Sequence, residues 1–167
     1  KDIYEQNHAG RKVYVLDSTY LRAFLLEAYI YQASGKLFEE LRALQRLISA
    51  ANKMKLNLDE RGIVAEAWSC MGSVYSRLGQ NKKAQKAFLH AVSFEDGFPA
   101  KLWEYSNAIF VSNHVPETQK RLAQLYQGYR NLLQGIPRQI ITKYQHKKIR
   151  IGYLSPDFRQ HPVASFI

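Results

Sequence analysis

The sequence predicts an all-α array of helical hairpins that ends in a β-strand and turn of α/β character. Apolar residues recur at helical spacing in successive runs, and glycines separate the runs. One pair of runs carries an ordered set of aromatic and small residues. From Lys148 onward the apolar period changes from helical to alternating.

Residues 1–62 form an N-terminal region with two predicted helices between Thr19 and Ser49. Phe24, Leu25, Ala28, Tyr29 and Tyr31 give the first its apolar side. Ser34-Gly35 breaks the pattern, as glycine does where a helix ends in the left-handed region. Leu37, Leu41, Leu44, Leu47 and Ile48 give the second its face. The polar stretch from Asn52 to Gly62 reads as a loop or a frayed helix end.

Residues 63–98 hold the next pair, Ile63 to Leu78 and Asn81 to Phe94, with Gly79 at the break and Asn81 as the expected N-cap. Residues 99–136 read as connector helices. Pro99 opens one that carries Leu102, Trp103, Ala108, Ile109 and Phe110. The other runs from Pro116 to Leu133, with Leu122, Leu125, Tyr126 and Tyr129 on one face. Gly135-Ile136-Pro137 ends it. Residues 137–148 form a basic linker, and residues 149–167 the strand and turn.

Lys and Arg number 24 against 14 Asp and Glu, a net charge of +10. Such an excess attracts acidic surfaces, but here it is spread along amphipathic helices. The densest group is Lys143, His146, Lys147, Lys148 and Arg150, which reads as a solvated linker. Cys70 is the single cysteine, so no internal disulfide or cysteine-based metal site forms. It reads as a small buried side chain and fits a reducing compartment. No apolar run reaches the length that crosses a bilayer. The expected location is cytoplasmic, without membrane contact. A start at Lys1 reads as an excised fragment.

The ordered set is Trp68-x2-Met71-Gly72-x2-Tyr75 followed by Ala84-x3-Phe88. Two antiparallel helices approach closely only where small residues meet. Gly72 and Ala84 supply that contact, while Trp68, Tyr75 and Phe88 fill the space around it. The pattern resembles the tetratricopeptide repeat. Met71 stands where the pattern has Leu, and Asp96 where it has Pro. Ala28, Tyr31, Gly35 and Leu44 form an earlier, degenerate copy. One hairpin cannot bury its own apolar face, so about three or more repeats are needed.

Lys148-Ile149-Arg150-Ile151-Gly152-Tyr153-Leu154 reads as a strand entering a buried sheet. Ser155-Pro156-Asp157 is a turn, and Phe158-Arg159-Gln160-His161-Pro162-Val163 follows. In a doubly wound sheet such a turn sets polar side chains at the carboxyl end of a strand, where ligands bind. This segment resembles the opening of the catalytic region of O-linked N-acetylglucosamine transferases and their plant (SPINDLY-type) and bacterial relatives. Tyr105-Ser106-Asn107-Ala108-Ile109-Phe110 also looks like the stretch before that region in bacterial members.

The resemblance implies a truncated α/β, Rossmann-like glycosyltransferase domain. It implies transfer of a sugar from a UDP-N-acetylglucosamine-type donor to a protein Ser or Thr hydroxyl. It places His161 in the active-site cleft of the complete enzyme as the catalytic candidate. Asp157, Arg159 and Pro162 are the substrate-binding candidates beside it, with Asp157 shaping the turn. On its own, a His before Pro reads as a turn or capping residue. Ser165 stands where animal members carry a second His. Most groups that stabilise the leaving diphosphate lie downstream in the family, so the chain alone is expected to be inactive. It shows no cofactor site and no metal-ligand cluster.

The expected partners are protein or peptide acceptors held by the repeats. A non-catalytic peptide-binding adaptor is the alternative, although its terminal strand then has no sheet to join. An exposed strand edge invites pairing with a second copy. Nucleic-acid binding through the basic excess is the least supported reading.

Overall fold

A computed structural model describes residues 20–116, 119–137 and Gly152. Two compact units divide the chain, Lys1–Gly135 and Ile136–Ile167. All described helices belong to the first. They are α1 (Leu21–Ala33), α2 (Leu37–Ala51), α3 (Leu58–Arg77), α4 (Asn81–Phe94), α5 (Phe98–Ser112) and α6 (Gln119–Leu132), closed by a 3-10 turn at Leu133–Gly135. No strand occurs among the described residues. The expected strand and turn lie outside them, apart from Gly152, which is exposed.

Each helix packs on the next, and α1 also touches α3. Three residues separate α1 from α2, and three separate α3 from α4. Packed helices joined so tightly must run antiparallel. Both turns use the same chemistry. Gly35 and Gly79 hold φ of 68° and 70°, the left-handed region where a Cβ costs energy. The Lys36 N–H donates to Tyr31 O at 2.9 Å and the Gln80 N–H to Tyr75 O at 2.8 Å. These bonds reach back across the turn to carbonyls that the helix end leaves unpaired.

Two sequence expectations are corrected. The stretch assigned to a loop up to Gly62 is helical from Leu58 onward. A capping box starts it early. Asn57 Oδ1 accepts from the Glu60 N–H at 2.9 Å, and Glu60 Oε2 accepts from the Asn57 N–H at 2.8 Å. Asn81 is inside α4 rather than its N-cap. Gln80 holds that place and makes no side-chain capping bond. The Gln80 carbonyl oxygen already accepts from the Ala84 N–H at 3.0 Å, so the first helical bond begins one residue before Asn81.

The main core lies between α1, α2 and α3. Leu44, Leu47, Val64 and Val74 are the largest apolar side chains sealed within it. A smaller core joins α4 to α5 through Ala84, Phe88, Ala108 and Val111. Tyr75 packs against both. The last helix contributes little: of α6 only Leu125 is buried. Tyr126 is exposed, and Leu122 and Tyr129 are half-buried.

Polar bridges tie the layers together. Arg61, on the first turns of α3, reaches Asp96 at 3.4 Å and the Phe94 carbonyl oxygen at 3.4 Å. Its guanidinium also lies 5.7 Å over the Phe94 ring. A cation placed on the last carbonyls of α4 complements that helix end. Ser112 Oγ accepts from Gln85 Nε2 at 2.8 Å and donates to Ala108 O at 2.6 Å, pinning α4 on α5.

Candidate functional site

Where α3 packs on α4, Gly72 lies against the ring of Phe88. A Cβ built on Gly72 would stand 2.6 Å from Phe88 Cε1 and 2.7 Å from Cδ1. Real Cβ atoms do not approach so near. Ala84 is fully buried and Phe88 nearly so. Trp68 is half-buried and stacks on the His90 ring with centroids 4.5 Å apart. Tyr75 is half-buried, with Lys83 Nζ 5.5 Å from its ring centre. His161, Asp157, Arg159 and Pro162 lie outside the described residues.

The open chemistry lies along α3 and α5. Glu66, Ser69, Ser73 and Ser76 recur every three or four residues, which stacks them on one side of α3. Arg77 follows at the same end as Ser76. On α5 the matching stripe is Trp103, Asn107 and Phe110. A cleft of about 280 Å³ lies between the two helices, with Ser73, Ser76, Arg77, Asn107 and Phe110 among its walls and Phe88 and Val111 below. Trp103 is 69% exposed and Phe110 66%.

Beneath this surface runs a line of carboxyl groups. Glu104 is almost fully buried, and its Oε1 accepts from Ser69 Oγ at 2.8 Å. Its Oε2 is buried with no hydrogen-bond partner. Burial raises the Glu104 pKa, and hydrogen bonding by Ser69 and Asn107 offsets only part of that. Glu40 is equally enclosed. Gln32 Nε2 donates to its Oε1 at 3.3 Å, and Arg77 Nη1 stands 3.6 Å from its Oε2. Burial again raises the carboxyl pKa, against the pull of Arg77. The Tyr29 hydroxyl donates to Glu66, linking α1 to α3.

These neighbours settle the chemistry of Cys70. Burial pushes its thiol up to about 12, helped by the charges of Glu66, Glu40 and Glu104. A nucleophilic thiol needs positive neighbours; this one has negative ones and stays protonated.

Arg61 meets Asp96 and Ser69 meets Glu104, each 35 residues on, so side chains of α3 reach the loop before α5 and α5 itself.

In the sequence Trp103, Ala108 and Phe110 stand together as apolar residues of one helix, and nothing local marks Glu104 as the buried residue among them. The pattern that separates them is the spacing Glu104, Ala108, Val111 against Trp103, Asn107, Phe110. Gly128 was also missed. A Cβ there would run into the Tyr105 hydroxyl, so α5 and α6 meet through a second small residue against an aromatic ring.

Together these features define an array of helical hairpins with an open polar and aromatic face. No protein-family model matches the chain, and no curated protein matches it. Among the described residues no helix is long and apolar enough to cross a membrane, and no cluster of His, Cys, Asp and Glu has the makings of a metal site.

Proposed function

We propose that this chain is the acceptor-recruiting, tetratricopeptide-type arm and opening strand of a protein O-glycosyltransferase related to O-linked N-acetylglucosamine transferases. One observation carries the reading: in the order of the sequence, a helical array with an open face precedes a basic linker and then the Lys148 to Val163 segment. The Gly72–Phe88 contact supports the repeat assignment.

In the complete enzyme the oxygen of a Ser or Thr side chain attacks the anomeric carbon of a UDP-sugar. The bond from that carbon to the diphosphate breaks, UDP departs, and a base or water takes the hydroxyl proton. The family resemblance makes His161 the catalytic candidate for this step, with Asp157, Arg159 and Pro162 as the substrate-binding candidates beside it. An imidazole titrates near neutrality, which suits it to hydrogen-bond a reacting group or exchange a proton. The repeats hold the acceptor protein, and the enzyme works in the cytoplasm.

The test is transfer of radiolabelled N-acetylglucosamine by the protein encoded by the full natural reading frame. Transfer to protein acceptors, lost in His161→Ala, is the expected result. A purified full-length protein that neither transfers nor binds a UDP-sugar would overturn the transferase reading. The adaptor reading would then hold, favoured by the fact that the open face is built wholly from helices.

A further inference from the structure

The face between α3 and α5 is asymmetric in charge along its length. Glu66 is exposed near one end. The buried carboxyl of Glu104 lies behind that same end, bonded to Ser69. Arg77 lines the cleft at the other end, with its side chain 46% exposed. Its ion pair to Glu40 is through Nη1 at 3.6 Å, which leaves nearly half of the side chain open to solvent. Trp103 and Phe110 stand on the neighbouring helix between these levels, both more than half exposed.

We propose that this face selects an extended peptide that carries a basic and an acidic side chain about five residues apart, with an apolar or aromatic side chain between them. The spacing follows from geometry. Glu66 and Arg77 are separated by 11 positions of α3, or about 16 Å at the helical rise. An extended chain covers that distance in about five residues. Trp103 and Phe110 are seven positions apart, or about 10 Å along α5. They bracket one large side chain with room for its neighbours. The Ser73 and Ser76 hydroxyls line the path between the charged ends.

Charge complementarity chooses the occupant. A polyanion would meet Glu66 and the carboxyl behind it, so a uniformly negative ligand is repelled at that end. A uniformly basic ligand meets Arg77. Only a ligand with both signs satisfies both ends. This inference rests on the reading of the array as a peptide-recruiting arm, and names what the arm prefers.

The experiment is fluorescence anisotropy with the full chain and three labelled peptides of one length. Each has Phe at its centre. One carries Lys and Asp about five residues apart, one carries Lys at both places, and one carries Asp at both. The Lys/Asp peptide is expected to bind about threefold or more tightly than either of the others, since an exposed charge pair contributes modestly. Glu66→Lys should weaken it and strengthen the Asp/Asp peptide. Glu66→Gln should weaken it less. Trp103→Ala, at an exposed position, should weaken all three about tenfold or more, as loss of an aromatic anchor does. Melting curves by circular dichroism check that each variant is folded.

If Trp103→Ala weakens binding but the three peptides bind alike, the charge selection is wrong and the recruiting arm stands. If no peptide binds, both readings fail. A short RNA that binds more tightly than every peptide, and is released steeply by salt, would also overturn the proposal and assign the basic helices to nucleic acid.

Discussion

Replacing Gly72 by alanine sets two opposed effects against each other. Gly in a helix interior costs about 1 kcal/mol relative to Ala, so the substitution would ordinarily stabilise α3. The new methyl, however, would lie 2.6–2.8 Å from three atoms of the Phe88 ring. That ring has space only on the side of the cleft it floors. It is 4% exposed, and Ala84 and Ala108 in the same cluster are sealed from solvent. Overpacking of this kind costs about 1–3 kcal/mol. The net expectation is a loss of about 1 kcal/mol, or a fall in Tm of about 2–4 °C for a chain of this size. The assay is urea unfolding followed by far-ultraviolet circular dichroism, run as a double-mutant cycle with Phe88→Leu. Once the ring is gone, Gly72→Ala should change sign and stabilise by up to about 1 kcal/mol. A coupling of about 1–3 kcal/mol between the two sites is expected for residues in contact. If Gly72→Ala stabilises the parent protein, or acts equally in both backgrounds, the close contact is not what fixes Gly72.

Cys70 should react with Ellman's reagent far more slowly at pH 8 than a free thiol, and reach the ordinary rate in denaturant, because burial and three carboxylates hold it protonated. The folded state binds protons more tightly than the unfolded chain at Glu40, Glu95 and Glu104, whose pKa values burial raises from 4.5. Stability should therefore be greatest near the acid end of the window and fall as pH rises from about 4.5 through the raised values. Urea midpoints measured between pH 4.5 and pH 7.5 test the sign, and Glu104→Gln should flatten the slope. Asn57→Ala removes half of the capping box that starts α3 and should cost about 1 kcal/mol in thermal unfolding.

The helices were legible where apolar spacing and glycine punctuation agreed. Gly35 and Gly79 each close a hairpin because only a left-handed residue lets the chain reverse there without strain. The ordered residues around Gly72 were legible too, because a glycine flanked at fixed spacing by aromatics has few other reasons to exist. The start of α3 was not: Asn57 and Glu60 look like ordinary loop polarity unless their three-residue spacing is weighed as reciprocal capping. The open face was hidden for a different reason. Glu104 bonds Ser69, 35 residues away, and Ser112 bonds Gln85, 27 residues away, and no local pattern announces a partner at that distance. Trp103, apolar in the sequence, likewise carries no local mark that it stands on the outside of α5.

The slender attachment of α6 bears on how the array comes apart. When each helix leans chiefly on its immediate neighbours, cooperativity is local and an end can open while the middle stays closed. With Leu125 as its only sealed side chain, α6 sits at the weak end of that gradient. Its amide protons should trade with deuterium well before those of α3, and a protease should find its first foothold there.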